Sequence, residues 1–269
     1  MLPPPGQPTA VPTALISDIH GNAEALRAVL ADIEAKGIQR IVCLGDIIGY
    51  GPEPLECVDL VAQRCEWSLM GNHDFGVLYE PTNFNPGAEA AAYWTREQFD
   101  NVADPAAKAR RYEFLGRLRV RVLETPPDGT RAVLAVHGSP RRPINEYIFP
   151  DDVVSAPDKL RGVFEMIESV AVVGHTHVPG VFTSEPDFYP PDEIGKDGTY
   201  EFSSKEKAVI NVGSVGQPRD HDPRASYAVL YPEGVKFFRV AYDIDKTAER
   251  IKAIPELNAW LADRLYEGR

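Results

Sequence analysis

The chain has 269 residues, 43% of them hydrophobic, which suffices for a sizeable core and excludes wholesale disorder. A formal charge of −12, spread along the sequence, disfavours stable binding to nucleic acid or to an anionic membrane surface. It leaves a phosphate substrate open, because bound cations can invert the sign of a pocket.

The N-terminal "MLPPPGQPTAVP" has neither the basic nor the apolar region of a signal peptide and reads as a flexible, proline-rich arm over residues 1–12. "TALIS" is a buried strand. It is followed by Asn22 as an N-cap, a helix with Leu26, Val29, Leu30 and Ile33 on one face, and Gly37 as its stop. "RIVCLG" is the second strand, "PLECVDLVAQR" the second helix, and "WSLMG" the third strand, an alternation that argues for parallel pairing. Residues 85–119 read as an inserted pair of helices with Pro105 near their junction. Strand-like runs resume at "RAVLAVHG", "SVAVVGH", "AVINVGS", "SYAVLY" and "VKFFRVAY", the last two forming a hairpin around "PEG". Residues 184–207 read as a surface excursion and Lys246 to Leu265 as a closing helix. Cys43, Cys57 and Cys65 contain no C-x-x-C pair and read as reduced thiols. No apolar run reaches the ~18–20 residues of a membrane span. A single α/β domain over 13–269, cytoplasmic and without a membrane partner, is therefore expected.

Five of the six histidines (His20, His73, His137, His175 and His177) stand at or just beyond the end of an apolar strand run, as do Asp18 and Asp46. Carboxyl ends of strands are where open α/β sheets build ligand sites. "DIH" and "GHTH" each place two donors two residues apart, on one side of an extended backbone. Asp46 after four apolar residues would be an unpaired buried charge without a neutralising partner. In "GNHD", Asn72, His73 and Asp74 offer a carbonyl, an imidazole and a carboxylate, and the four residues alone do not divide ligand from catalyst. The inventory is too large for one tetrahedral zinc. Two metals ~3.5–4 Å apart that share a short carboxylate use it well, with a bridging hydroxide as nucleophile and residual positive charge for a phosphate.

"DIHGN", "GDIIGYGP", "GNHD", "VHGSP" and "GHTHVP", in this order and spacing, resemble the motifs of the calcineurin-like metallophosphoesterase superfamily, above all its compact bacterial and archaeal phosphodiesterases. The resemblance spans Asp18 to Gln217. It implies a four-layer αββα sandwich, with two mixed β-sheets, flanking helices and a dimetal site at the strand ends. Carried over residue by residue, it implies Asp18, His20 and His177 on one metal, Asn72, His137 and His175 on the other, and Asp46 between them. His73 would face the scissile phosphate and protonate the leaving oxygen, with Asp74 orienting its ring. Two divalent ions drawn from Mn, Fe, Zn, Ni or Mg are implied, Mn favoured.

The implied reaction is hydrolysis of a small, nucleotide-like phosphodiester by in-line attack of the metal-bridging hydroxide. Phosphomonoester, phosphoprotein or dinucleoside-polyphosphate hydrolysis is the alternative, and a non-catalytic scaffold is the other class. Homo-oligomerisation is left open. Tyr50, Arg141, Arg219 and His221 are candidate substrate contacts, and Arg142, Tyr147 and Phe149 candidate cleft walls. His221 stands where the resemblance implies a small residue such as glycine. Narrowing the cleft, donating a proton and doing nothing are its open readings.

Overall fold

The computed structural model describes residues 11–125, 131–195, 197–203 and 206–269, so the expected N-terminal arm lies almost wholly outside the described residues. Strand β1 (Thr13–Ile16) leads into helix α1 (Ala23–Ala35), capped by Asn22 Oδ1, which accepts the Ala25 N–H at 3.1 Å. Gly37 ends that helix at φ 71°, a left-handed position suited to glycine. Strand β2 (Arg40–Cys43) completes a parallel β-α-β unit with β1 and α1, and helix α2 (Pro54–Arg64) follows it. The expected third strand shrinks to isolated parallel bridges, Cys43 to Ser68 and Leu69 to Arg119. The chain turns at once into a short helix not read from the sequence, α3 (Asn72–Leu78).

The inserted pair is present as α4 (Pro86–Asp100) and α5 (Pro105–Gly116), each with proline in its first turn and a side-chain cap, Asn85 and Asp104. Strand β3 (Arg121–Glu124) precedes β4 (Val133–Val136). Helices α6 (Asp152–Ser155) and α7 (Pro157–Glu165) then lead to β5 (Val170–Val173). Within the stretch read as a surface excursion, β7 (Asp187–Tyr189) and β8 (Thr199–Glu201) pair with sheet edges; β6 (Gly180–Thr183) precedes them and β9 (Ala208–Asn211) follows. Strands β10 (Ala225–Tyr231) and β11 (Gly234–Val240) form the expected hairpin. The closing segment is two helices, α8 (Ile244–Lys252) and α9 (Trp260–Glu267), not one. Pro255 lies in the break, where it lacks the N–H that a continuous helix needs.

The strands form two mixed sheets, ordered β2-β1-β10-β11-β8 and β3-β4-β5-β9-β6-β7. Alternation along each strand sets the layers. Leu15, Val42, Ala228 and Val235 of the first sheet pack with Ala135, Val172, Val181 and Ile210 of the second. Ala14, Ile16 and Cys43 turn the other way, toward Leu26, Val29 and Val58 of α1 and α2. Leu134, Ala171 and Val173 turn outward to Leu160 and Val163 of α7. Both faces of the parallel strands are thus covered, which is why they read as unbroken apolar runs. The three cysteines are free thiols, two of them buried. No helix among the described residues is long and apolar enough to cross a membrane. The face-to-face sheets bring the carboxyl ends of β1 and β2 beside those of β4, β5 and β9, and the candidate residues gather there.

Candidate metal centre

The structure unites every expected metal ligand at this junction. Donor atoms of Asp18, His20 and His177 form one group within 4.8 Å of one another, and those of Asp46, His137 and His175 form another. All six residues are buried. Asp46 Oδ2 faces both groups, 3.3 Å from His137 Nε2 and 3.6 Å from His20 Nε2. Asn72 joins the second group, its Oδ1 3.3 Å from His137 Nε2.

The side chains converge for a different reason from the one expected. "DIH" and "GHTH" are not extended: φ is 52° at Asp18, 51° at His20, 68° at His175 and 63° at His177. Asp46 has φ 52° and Tyr50 61°. Left-handed geometry costs non-glycine residues about 1–3 kcal/mol each, and its clustering here marks a site shaped for something other than stability. The turns are locked by one another. Ile19 and His20 both donate N–H to the Asp46 carbonyl, at 2.8 and 3.0 Å, and Gly216 donates to the Asp18 carbonyl at 3.0 Å. A Cβ at Gly216 would collide with the Ile19 carbonyl, and one at Gly71 with the Asp46 carboxylate, so only glycine lets these loops meet.

Hydrogen bonds behind two of the histidines fix where their lone pairs point. His177 Nδ1 donates to the Gln217 carbonyl at 2.6 Å, leaving Nε2 as acceptor, 3.1 Å from His20 Nε2 and 3.2 Å from Asp18 Oδ1. His137 Nδ1 donates to the Leu44 carbonyl at 2.9 Å, so its Nε2 faces Asn72 Oδ1 and Asp46 Oδ2. Lone pairs from separate loops therefore meet at two places, an arrangement that only positive charge makes favourable. Two ligands each ~2.1 Å from one ion stand ~3.0–3.4 Å apart at octahedral or tetrahedral angles. His20–His177 (3.1 Å), His177–Asp18 (3.2 Å), His137–Asp46 and His137–Asn72 (3.3 Å each) fall in that range, while His20 stands 3.6 Å from Asp46 and 3.9 Å from Asp18. The donor set fits a pair of divalent cations. No lysine or arginine pairs with Asp18 or Asp46 among the described residues.

Protons respond as the same field dictates. Burial opposes ionisation of Asp18 and Asp46, yet the histidines around them hold both carboxyls well below their ordinary range. Burial pushes His20 well below its usual value and His175 down to about 3, so both rings are neutral donors of lone pairs. His137 goes the other way: against burial, Asp46 and Asp18 raise it to about 9. A proton there sits where a cation would, and metal binding would release it.

His73 lies between the metal groups and an aromatic wall, with Tyr50 at 4.3 Å, Phe84 at 4.6 Å and His20 at 4.8 Å between ring centroids. Burial is the main cause that lowers its pKa to about 4, with Asp46 opposing and Arg219 adding to the fall. At neutral pH it is a neutral ring with one N–H to donate. Among the described residues its Nδ1 has no hydrogen-bond partner.

Asp74, expected to orient that ring, does not bond to it. Its carboxylate accepts backbone N–H groups from Asp46 (2.8 Å), Ile47 (3.0 Å), Ile48 (3.3 Å) and Gly71 (2.9 Å), clamping the Asp46 loop to the start of α3. Burial and the nearby Asp46 charge push its pKa up to about 7. Asp74→Ala leaves these buried donors unsatisfied and is expected to lower the melting temperature by roughly 5–15 °C, with Asn restoring part of it. An unchanged thermal midpoint would show that the clamp is dispensable.

The expected substrate contacts separate into two sets. Tyr50 is buried against His73 and His20, and Arg219 sits nearby. Arg219 donates to Gln217 Oε1 at 2.8 Å and, among the described residues, pairs with no carboxylate and keeps a buried Nε without a partner. Arg141 is instead engaged by its own loop and α7, 3.6 Å from Glu146 and bonded to the Lys159 carbonyl at 3.4 Å. His221 is exposed at φ 66°, and its N–H donates to the Gly268 carbonyl at 2.9 Å. The left-handed turn explains why glycine suits that position. Sequence reasoning missed the Leu44 and Gln217 carbonyls, which carry no side-chain signal. It also missed Asn211, which bonds to the Gly174 carbonyl and Thr176 Oγ1 at 2.7 Å each and steadies "GHTH".

Two mixed sheets flanked by helices, with a buried His/Asp donor set at their shared strand ends, define a metal-binding α/β phosphoesterase architecture. The chain belongs to the calcineurin-like phosphoesterase superfamily, whose domain matches residues 12–234. It is 38% identical over 263 residues to an uncharacterised protein of Methanocaldococcus jannaschii, covering 95% of this chain and 98% of that one. The crystal structure of a metallophosphoesterase from Sphaerobacter thermophilus is similar at 36% identity and TM-score 0.77, over 96% of this chain and 99% of that chain. A hypothetical protein of Pyrococcus horikoshii shares the fold at 21% identity and TM-score 0.73, over 97% and 99% of the two chains.

Proposed function

We propose that the protein is a dimetal-dependent phosphodiesterase acting on small, nucleotide-like substrates. The observation that carries this reading is the single buried oxygen, Asp46 Oδ2, facing the ring nitrogens of both donor groups. Asp18, His20 and His177 would hold one ion, Asn72, His137 and His175 the other, with Asp46 shared. Mn is the first candidate. Bound divalent ions lower the pKa of water toward neutrality and offset phosphoryl charge.

This chain's own groups do the rest. His73 donates its N–H to the phosphoryl or leaving oxygen, and the incoming anion favours the protonated ring against the burial that keeps it neutral. Tyr50 and Phe84 fix the ring by packing. Arg219, without a carboxylate partner among the described residues, would pair with a substrate anion. The same guanidinium, with no carboxylate partner among the described residues, also suits a second reading, hydrolysis of a dinucleoside polyphosphate.

Turnover of bis-p-nitrophenyl phosphate is expected to vanish with a chelator and return with Mn²⁺. It is also expected to exceed turnover of p-nitrophenyl phosphate, a phosphopeptide and diadenosine tetraphosphate. Faster monoester hydrolysis overturns the diester assignment. A protein inert toward all four while fully metal-loaded supports a scaffold instead.

A further inference from the structure

The loop after β4 carries a feature that metal binding does not require. Tyr147 stacks on His175, with ring centroids 3.7 Å apart and planes within 14°. Phe149 continues the series, 5.1 Å from Tyr147 and within 11° of parallel. Three flat rings thus run outward from a metal-site histidine toward solvent. Tyr147 is 39% and Phe149 42% exposed, whereas Ile148 between them is 2% exposed among Leu160 and Val163 of the outer core. One buried residue anchors the segment and its two neighbours present their rings.

The loop is braced to hold them there. Ser139 Oγ accepts the N–H groups of Arg141 and Arg142 at 3.1 Å each and bonds to Glu146. Gly138 donates to the Pro143 carbonyl at 2.6 Å. The Phe149 N–H donates to Asp152 Oδ2 at 2.7 Å, and Lys159 pairs with the same carboxylate. Rings fixed before binding lose little conformational freedom when a ligand arrives. Burial would favour turning such rings inward, so a braced, exposed parallel pair points to a partner. Because the series begins on His175, that partner is the substrate of the same centre, and what extends a parallel stack is another flat ring.

We propose that Phe149, backed by the Tyr147 ring, is a stacking platform for a nucleobase carried by the substituent that stays on phosphorus when the diester is cleaved. This rests on the phosphodiesterase reading and specifies which diesters the site prefers.

The test compares thymidine 5′-(p-nitrophenyl phosphate) with methyl p-nitrophenyl phosphate on the Mn²⁺-loaded protein. The two diesters share a leaving group and differ only in the retained one. Wild type is expected to favour the thymidine diester in kcat/KM. Phe149→Ala is expected to shrink that preference about 5- to 100-fold, the range for loss of one base–aromatic stack. Phe149→Trp is expected to keep or enlarge it. By calorimetry, Phe149→Ala should also weaken binding of thymidine 5′-monophosphate relative to inorganic phosphate. A preference that survives Phe149→Ala, equal losses for both diesters, or a changed oligomeric state with the preference intact overturns the platform. If wild type cleaves neither diester, the phosphodiesterase reading fails. The monophosphate comparison then decides the platform alone.

Discussion

Asp46→Asn is expected to strip the centre of metal and take hydrolysis with it. Asp46 Oδ1 accepts the His73 backbone N–H at 2.8 Å, while Oδ2 faces His137 and His20 across the two donor groups. Asparagine is almost the same shape, so the loop should persist. It replaces one charged oxygen by an amide that either brings hydrogens to the shared position or takes them to the His73 N–H, where they clash. Losing a partner that merely supports a metal ligand costs roughly 10- to 100-fold in metal affinity. A shared carboxylate should cost more, and for both ions. Elemental analysis after dialysis should fall from two equivalents to below one, with the rate at background. Two retained equivalents with a reduced rate would falsify the bridging role.

The complementary result concerns His73. His73→Ala should keep both equivalents of metal and lose roughly 10²–10⁴ in kcat, the usual contribution of a positioned proton donor. The distinction is a real one, because His73 also lies within ligand distance of His20 and Asp46. What separates it is its surroundings. The Phe84 ring packs beside it, whereas Tyr50 nearby, an Nδ1 unbonded among the described residues and a ring that burial keeps neutral are features it shares with His20. His137 and His177 are each tethered through Nδ1, as metal-bound histidines are. Metal lost on His73→Ala would make it a ligand after all.

Much of this was legible in the sequence, because burial on both faces writes a strand as an apolar run. "TALI" and "VAVV" could hardly be anything else, and polar donors at their ends stood out against them. Edge strands escaped notice for the converse reason. β3, with half its residues exposed, and the three-residue β7 and β8 bury too little to leave a pattern. Both "DIH" and "GHTH" bring their donors to the centre, but two-residue spacing does not distinguish an extended chain from left-handed turns, and "GHTH" sends His175 and His177 to separate groups. The clamping contacts of Asp74 are not legible, because its partners are backbone N–H groups drawn from another loop, which side-chain identities do not reveal. The "GNHD" stretch shows the limit most plainly. Asn72 reaches His137 from 65 positions away in the chain, so its part is set by tertiary contact.

The bare glycine faces at Gly71 and Gly216 carry a consequence for how such proteins diversify. Each lets one metal loop rest directly on the backbone or carboxylate of another, with no side chain between to absorb a shift. A change in any one loop must therefore be matched in its neighbour, and single substitutions there meet a steep barrier. The braced segment that carries Tyr147 and Phe149 touches the centre through one stacked ring and keeps its bracing largely to itself. New substrate preferences are accordingly open to gradual tinkering at this rim, while the hydrolytic machinery is inherited as an indivisible block.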